Sequence, residues 1–295
     1  MKIIDDIRTI SKKIINNSQC HVQINNEHIE NLSKKLKSSD FSSWKEPKQS
    51  SSIDDIFSTE LIANSVNYCY WYGRCDIRLN YSSANTMYKL LEQSWGESKG
   101  YEDIVKIFFY KMKLNRFPLL QERFNHLKEI SIKEDVICCG SHVFHNSFRE
   151  FYNYSESMDF DMGKTIDFVF GNYNGYSEDI FLKRLQLLIM QIYRKTGKFA
   201  DEIHRLTVPA DYQIPKILRH YGCIQYDEEL SNIVDSEILI PKGSAYETEI
   251  RAATILACDK ISVLSDTNNV IVDNFLWQSR KISDKPFHLT ITTDY

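Results

Sequence analysis

The sequence predicts a mainly α protein with a few short strands. Three observations carry this expectation. Apolar residues recur three or four positions apart through most of the 295 residues. Polar cap residues stand ahead of several of these runs. Alternation of apolar and polar residues, the mark of a half-buried strand, is confined to brief segments.

In chain order, Ile3, Ile4, Ile7, Ile10 and Ile14 keep helical spacing among charged residues. "HVQIN" (His21–Asn25) reads as a short strand and "NEHIENLSKKLKS" as a helix. "SSDFSSWKEPKQSSS" is Ser-rich and polar, hence a loop. It sets off residues 1–52 as a candidate N-terminal subregion of one domain spanning 1–295. A helix is expected over Ile53–Tyr72 and a strand at "CDIRLNY". Helices are expected in "SANTMYKLLEQSW", "YEDIVKIFFYKMK" and "FPLLQERFNHLKEI". "MGKTIDFVFGNYNGY" predicts a helix that stops at Gly171. In "SEDIFLKRLQLLIMQIYRK", Ser177 is expected to cap a helix whose positive end suits Glu178 and Asp179. From Leu185 to Ile192 that helix is apolar on nearly all sides, so it belongs at the centre of the core. Ser244 and Glu247 have capping-box spacing at the head of "SAYETEIRAATILACDKI". The final "PFHLTITTD" alternates like a strand.

Composition sets outer limits. Hydrophobic residues at 42% and charged residues at 26% are the balance of a soluble globular protein. The net charge of −4 argues against a protein that coats nucleic acid, because binding a phosphate backbone needs a basic surface. A small phosphorylated ligand needs only one or two local cations. The 17 Tyr, 16 Phe and 4 Trp can fill a core or wall a pocket for a flat ligand. Seven cysteines, an odd number with no CxxC pair, are expected to be reduced thiols of a cytoplasmic protein. The opening "MKIIDDIRTISKKIINN" lacks the apolar core of a signal peptide, and no segment is apolar enough to span a membrane. Common nucleotide, hydrolase and protease signatures are absent: there is no GxGxxG, Walker loop, GxSxG or HExxH.

A few charged residues stand out. Asp211 lies in "LTVPADYQIP", beside Tyr212 and between Pro209 and Pro215. Locally it reads as the cap of a helix ending at Gly222, and alternatively as a carboxylate on a rigid mount. Lys183 shares an apolar helix face with Leu187 and Met190, so it either snorkels to water or meets an anion. Glu249 and Arg251, two apart, do not face each other on a helix, and a solvated charged face is their plainest reading. Asp273 precedes Phe275, Leu276 and Trp277 and is either a cap, a partner of an arginine or a site residue. Cys139, His142 and His145 have the spacing of half a metal site, without the second ligand pair that zinc usually brings.

These segments, taken in order, resemble the queuosine salvage protein family, the queuosine 5′-phosphate N-glycosidases. "VNYCYW" (Val66–Trp71), "FPLLQERFNHLKEI", "FLKRLQLLI", "LTVPADYQIPKIL", "ETEIRAATILA", "VIVDNFLWQ" and the late "PFH" each have a counterpart in the family's pattern. The likeness covers most of the chain and is strongest from Lys183 onward. It implies a fold like that of the helix-hairpin-helix DNA glycosylases. It implies hydrolysis of the N-glycosidic bond of queuosine 5′-phosphate, releasing queuine or a related 7-deazaguanine base for tRNA modification, with no metal and no cofactor. Lys183, Asp211 and Asp273 fall on the family's key polar positions and are the expected catalytic residues. Asn67, Trp71, Tyr212, Glu249, Arg251 and Trp277 are the expected substrate contacts, with Lys183 and Arg251 the candidates for the phosphate. The chain departs from the pattern at Leu182, Pro209, Gln213 and Gln278, and these changes bear on the base more than on the reaction. The expected partner is thus a small nucleotide, with no stable nucleic-acid partner and no membrane. Two other readings stay open: a glycosylase of another modified nucleotide or of nucleic acid, and a nucleotide-binding homologue without turnover.

Overall fold

The structure, a computed structural model, describes residues 2–39, 52–72, 83–99, 101–131, 133–134, 144–145 and 147–295. Helix α1 (Lys2–Ile15), strand β1 (Val22–Ile24) and helix α2 (Asn26–Lys37) come first. They are followed by α3 (Ile53–Ser65), α4 (Ala84–Glu97), α5 (Tyr101–Leu114) and α6 (Leu120–Ser131). The short strands β2 (Lys133–Glu134) and β3 (Phe144–His145) pair with each other. Next are α7 (Ser147–Ser157), α8 (Met162–Asn172), the single turn α9 (Asn174–Ser177) and α10 (Lys183–Thr196). The chain closes with α11 (Gln213–His220), β4 (Ile224–Tyr226), α12 (Glu228–Asp235), α13 (Ala245–Ser265) and α14 (Asn269–Gln278). The protein is mainly α, as the periodicity predicts. The strand read at "CDIRLNY" and the Cys139–His142 pair lie outside the described residues, and His145 is described only in its backbone.

Two long helices organise the packing. Helix α13 is buried along almost its whole length and packs against α1, α2, α11, α14 and β1. Its small residues Ala252, Ala253 and Ala257 let these neighbours approach closely. Helix α10 packs against α3 and α8 and buries Leu185, Leu188, Ile189 and Ile192, as the apolar run predicts. Strand β1 pairs antiparallel with β4, Gln23 opposite Gln225, which ties the N-terminal segment to the C-terminal third. One continuous core joins all of these elements.

Three departures from the sequence expectation have physical causes. The helix expected over Ile53–Tyr72 stops at Ser65, because buried cations take the carbonyls that a longer helix would use. Arg184 donates to the Ser65 oxygen at 2.7 Å, Arg123 to those of Val66 and Tyr68, and Lys183 to that of Asn67 at 2.8 Å. Cations at a helix C-terminus also meet the negative end of its dipole. The second departure is Ser177, which ends α9 and does not cap α10. Leu182, in the left-handed region at φ 51, precedes α10, and Asp179 receives the backbone N–H groups of Phe181 and Lys183 at 3.1 and 2.8 Å. Third, "PFHLTITTD" forms only a single bridge, Leu239 to Leu289. The alternation is real but inverted: His288, Thr290 and Thr292 point inward, while Ile291 is exposed.

The turn after α11 yields a stability test. Gly222 has φ +73, and a Cβ there would meet the His28 ring at 2.9 Å, whereas Gly243 at φ +73 has open space around it. Replacing Gly243 with Ala should cost about 1–2 kcal/mol, the left-handed backbone penalty alone. Gly222→Ala should cost more by urea titration; equal costs would show that His28 yields freely.

Candidate active site

A cleft of about 630 Å³ opens between the α10 side of the molecule and the α14 side. Its volume is in the range of small-ligand sites. The floor comes from the start of α10, with Lys183, Leu187 and Gln191. One wall is the segment Pro209–Gln213, and another is α14, with Asp273, Asn274 and Trp277. Asn67, Tyr68 and Tyr70 from the turn after α3, Tyr88 from α4, and Tyr295 complete it.

Asp211 is both a cap and a cleft residue. Its Oδ1 accepts the backbone N–H groups of Gln213 and Ile214 at 2.7 and 3.1 Å, which opens α11. Oδ2 accepts no hydrogen bond from the described residues. Burial pushes the carboxyl pKa up, opposed by the Lys183 charge and the two N–H groups. Asp273 accepts no hydrogen bond from the described residues either. Burial, and then the charge of Asp211, raise its pKa to about 7, against the pull of Arg194 and Lys183. Both carboxyls show an edge to the cleft while most of each group is packed among protein atoms. Lys183 does not snorkel; it is 4% exposed. Burial lowers its pKa to about 8, although Asp211 and Asp273 favour its charged form.

The other expected contacts divide by position. Asn67 lines the cleft and its side chain donates to Asn64 Oδ1. Tyr212 and Trp277 line it too, with the Arg280 guanidinium 3.5 Å from the Trp277 ring centre. Trp71 sits one layer back, against Phe287, which in turn packs on Tyr212 with ring centres 4.9 Å apart.

Arg251 and Glu249 do not reach the cleft, and neither lies on a solvated face. Glu249 is buried and accepts the His21 backbone N–H at 2.7 Å, holding β1 to α13. Arg251 is 1% exposed. Its guanidinium donates to both oxygens of Asp179 at 2.9 and 2.7 Å, to Glu247 at 3.2 Å and to the Ala210 carbonyl at 2.9 Å. It therefore stands behind the wall, away from any phosphate in the cleft. The charge of Arg251 and four hydrogen bonds outweigh burial and keep Asp179 below the usual carboxylate range.

Other polar residues of the cleft carry no local sequence signal. Tyr88 donates to buried Glu60 at 2.7 Å, and Lys195 pairs with the same carboxylate at 2.7 Å. Arg194 and Arg280 add cations. A lysine–arginine pair late in an amphipathic helix reads as solvated. Only the burial of Glu60 on α3, masked by an even mixture of residues there, reveals that Lys195 faces inward.

The two kinds of aspartate should respond oppositely to substitution. Asp179→Ala breaks a buried pair and should cost about 3–5 kcal/mol in a denaturant titration at pH 7. Asp211 has a raised pKa, so its ionised form disfavours folding at pH values above that of the unfolded group. Asp211→Asn keeps a capping oxygen and should therefore leave the midpoint equal or higher; a large loss would show that the charge paired with Lys183 outweighs burial.

The family model described as queuosine salvage protein matches residues 45–295. Among curated proteins, a queuosine 5′-phosphate N-glycosylase/hydrolase of Sphaerobacter thermophilus is 26% identical over 272 residues, 80% of this chain and 80% of that protein. One of Nematostella vectensis is 28% identical over 233 residues, 65% of this chain and 63% of that protein. One of Dictyostelium discoideum is 34% identical over 128 residues, 39% of this chain and 40% of that protein. With most of its length matched, the chain belongs to the queuosine salvage protein family.

Proposed function

We propose that this chain hydrolyses the N-glycosidic bond of queuosine 5′-phosphate and releases queuine or a closely related 7-deazaguanine base. The observation that carries the reading is the meeting of Asp211, Asp273 and Lys183, from three separate elements, on one cleft walled by aromatic rings. The names of the similar proteins agree with it.

Hydrolysis of an N-glycoside passes through a sugar with oxocarbenium character. Asp211 is held by two backbone N–H groups on one oxygen, which leaves the other to face the sugar and the attacking water. Its charge stabilises the developing cation, and it accepts the proton that water loses as the new C–O bond forms. The electron pair of the broken C–N bond goes to the base, which must gain a proton. Asp273, with a pKa near 7, is the carboxyl that can hold a proton at neutral pH and donate a hydrogen bond or the proton itself to the base. The Lys183 charge favours the ionised form of Asp211 against the effect of burial. Tyr212 and Trp277 flank the ring. The guanidinium groups for the 5′-phosphate are Arg194 and Arg280, which line the cleft, whereas Arg251 is buried behind the wall.

Base release from queuosine 5′-phosphate, queuosine, GMP and dGMP, followed by chromatography, tests this reading. Release from queuosine 5′-phosphate should dominate, and Asp211→Asn should lower it about 10³-fold. No release from either deazapurine substrate would refute the reading. The pH profile is a second check. Activity should fall as pH rises through about 7 to 8, where Asp273 loses its proton and Lys183 its charge. Asp273→Asn should reshape that alkaline limb; an unchanged limb would remove Asp273 from proton transfer.

A further inference from the structure

We propose that Arg251 is a positioning residue for the reaction: from behind the cleft wall it fixes where the Asp211 carboxylate stands relative to the Lys183 ammonium. This rests on the hydrolase reading above and extends it to a residue that touches no substrate.

The argument is geometric. Asp211 lies on an irregular segment and Lys183 opens α10, so no shared secondary structure sets their separation. Arg251 Nε holds the carbonyl of Ala210, the residue just before Asp211, at 2.9 Å. Its two terminal nitrogens hold Asp179, whose oxygens also receive the N–H groups of Phe181 and Lys183. One planar guanidinium thus joins the mount of the acid to the first turn of the helix that carries the lysine. The rings of Tyr295 and Phe181 lie 4.2 and 4.7 Å from its centre. Leu182 is held in the left-handed region at φ 51, a conformation that a leucine rarely adopts, so the start of α10 depends on Asp179. Farther up the same segment, Gln186 of α10 holds Thr207. That contact aligns the segment with α10 but leaves its last residues to Arg251. A lysine cannot replace this link, because a single ammonium cannot span both Ala210 and the two oxygens of Asp179.

The test compares Arg251→Lys, Asp179→Asn and Glu247→Gln with the unaltered protein on queuosine 5′-phosphate. Glu247→Gln removes the same charge from the cluster as Asp179→Asn, yet Glu247 contacts neither Ala210 nor α10 through its carboxylate. Thermal unfolding of each variant fixes the folded fraction. Arg251→Lys and Asp179→Asn should each lower kcat about 10²-fold, the scale of a misplacement of about 1 Å, with KM within about threefold. Glu247→Gln should keep kcat within about threefold. If the single variants do not fold, the neutral pair Asp179→Asn with Arg251→Gln removes one buried charge of each sign, leaves Glu247 with the Gly243 N–H, and should show the same fall in kcat. Unchanged kcat in Arg251→Lys or in the neutral pair, or a rise confined to KM, would overturn the proposal. A separate readout needs no turnover: the rate at which a small acetylating reagent modifies Lys183 at pH 8, followed by mass spectrometry. It should change at least threefold in Arg251→Lys, and an unchanged rate counts against positioning. If the unaltered protein releases no base while this labelling still changes, the substrate assignment fails and the positioning claim stands.

Discussion

The cleft depends on a charge that never reaches it. Arg251 is buried in the N-terminal third of α13, where an isolated guanidinium would be costly, and it is tolerated because Asp179, Glu247 and the Ala210 carbonyl receive its N–H groups. A hydrophobic pair in the same place would pack as well. It would not define the angle between α13, the start of α10 and the Pro209–Gln213 segment. Fork-shaped donors define directions as well as distances.

The same principle recurs one layer away, at the end of α3. Three cations, Lys183, Arg184 and Arg123, take the carbonyls from Ser65 to Tyr68 and so convert a helix end into an anchored turn. This explains how Lys183 stays in the floor with little exposure: it is held on one side by a carbonyl at a negative helix end and feels two carboxylates on the other. The environments of those carboxylates differ. Asp211 has backbone donors and the lysine; Asp273 accepts no hydrogen bond from the described residues, and burial and the Asp211 charge outweigh the pull of Arg194 and Lys183 on it. Burial raises both carboxyls, and Asp273, which lacks those backbone donors, is raised the more, to about 7, within reach of acid–base chemistry near neutral pH.

Much of this was legible in the sequence, for reasons that can be named. Helical periodicity gave α2, α4, α10 and α13 because each buries a consistent face, and the Ser244 cap is real: its hydroxyl oxygen accepts the Glu247 N–H. The two local readings of Asp211 proved compatible, since one oxygen can cap while the other faces the cleft. What the sequence hid was direction. Glu249 and Arg251 look like a polar face, yet each is turned into the core toward a partner distant in the chain, His21 in one case and Asp179 in the other. The end of α3 was equally hidden, because its stop signal is supplied by Arg123, Lys183 and Arg184 rather than by a glycine or proline nearby. The first 44 residues lie outside the family match, yet α1 and α2 pack on α13 and contribute Ile4, Ile7 and Leu36 to the core.

The most direct measurement is a structure of the Asp211→Asn protein with queuosine 5′-phosphate bound. The account predicts the anomeric carbon facing position 211, with a water at about 3–3.5 Å from that carbon on the side away from the base. It also predicts the base between Tyr212 and Trp277, with Asp273 at its edge. A sugar seated against the opposite wall, with position 211 engaged only by the start of α11, would contradict it.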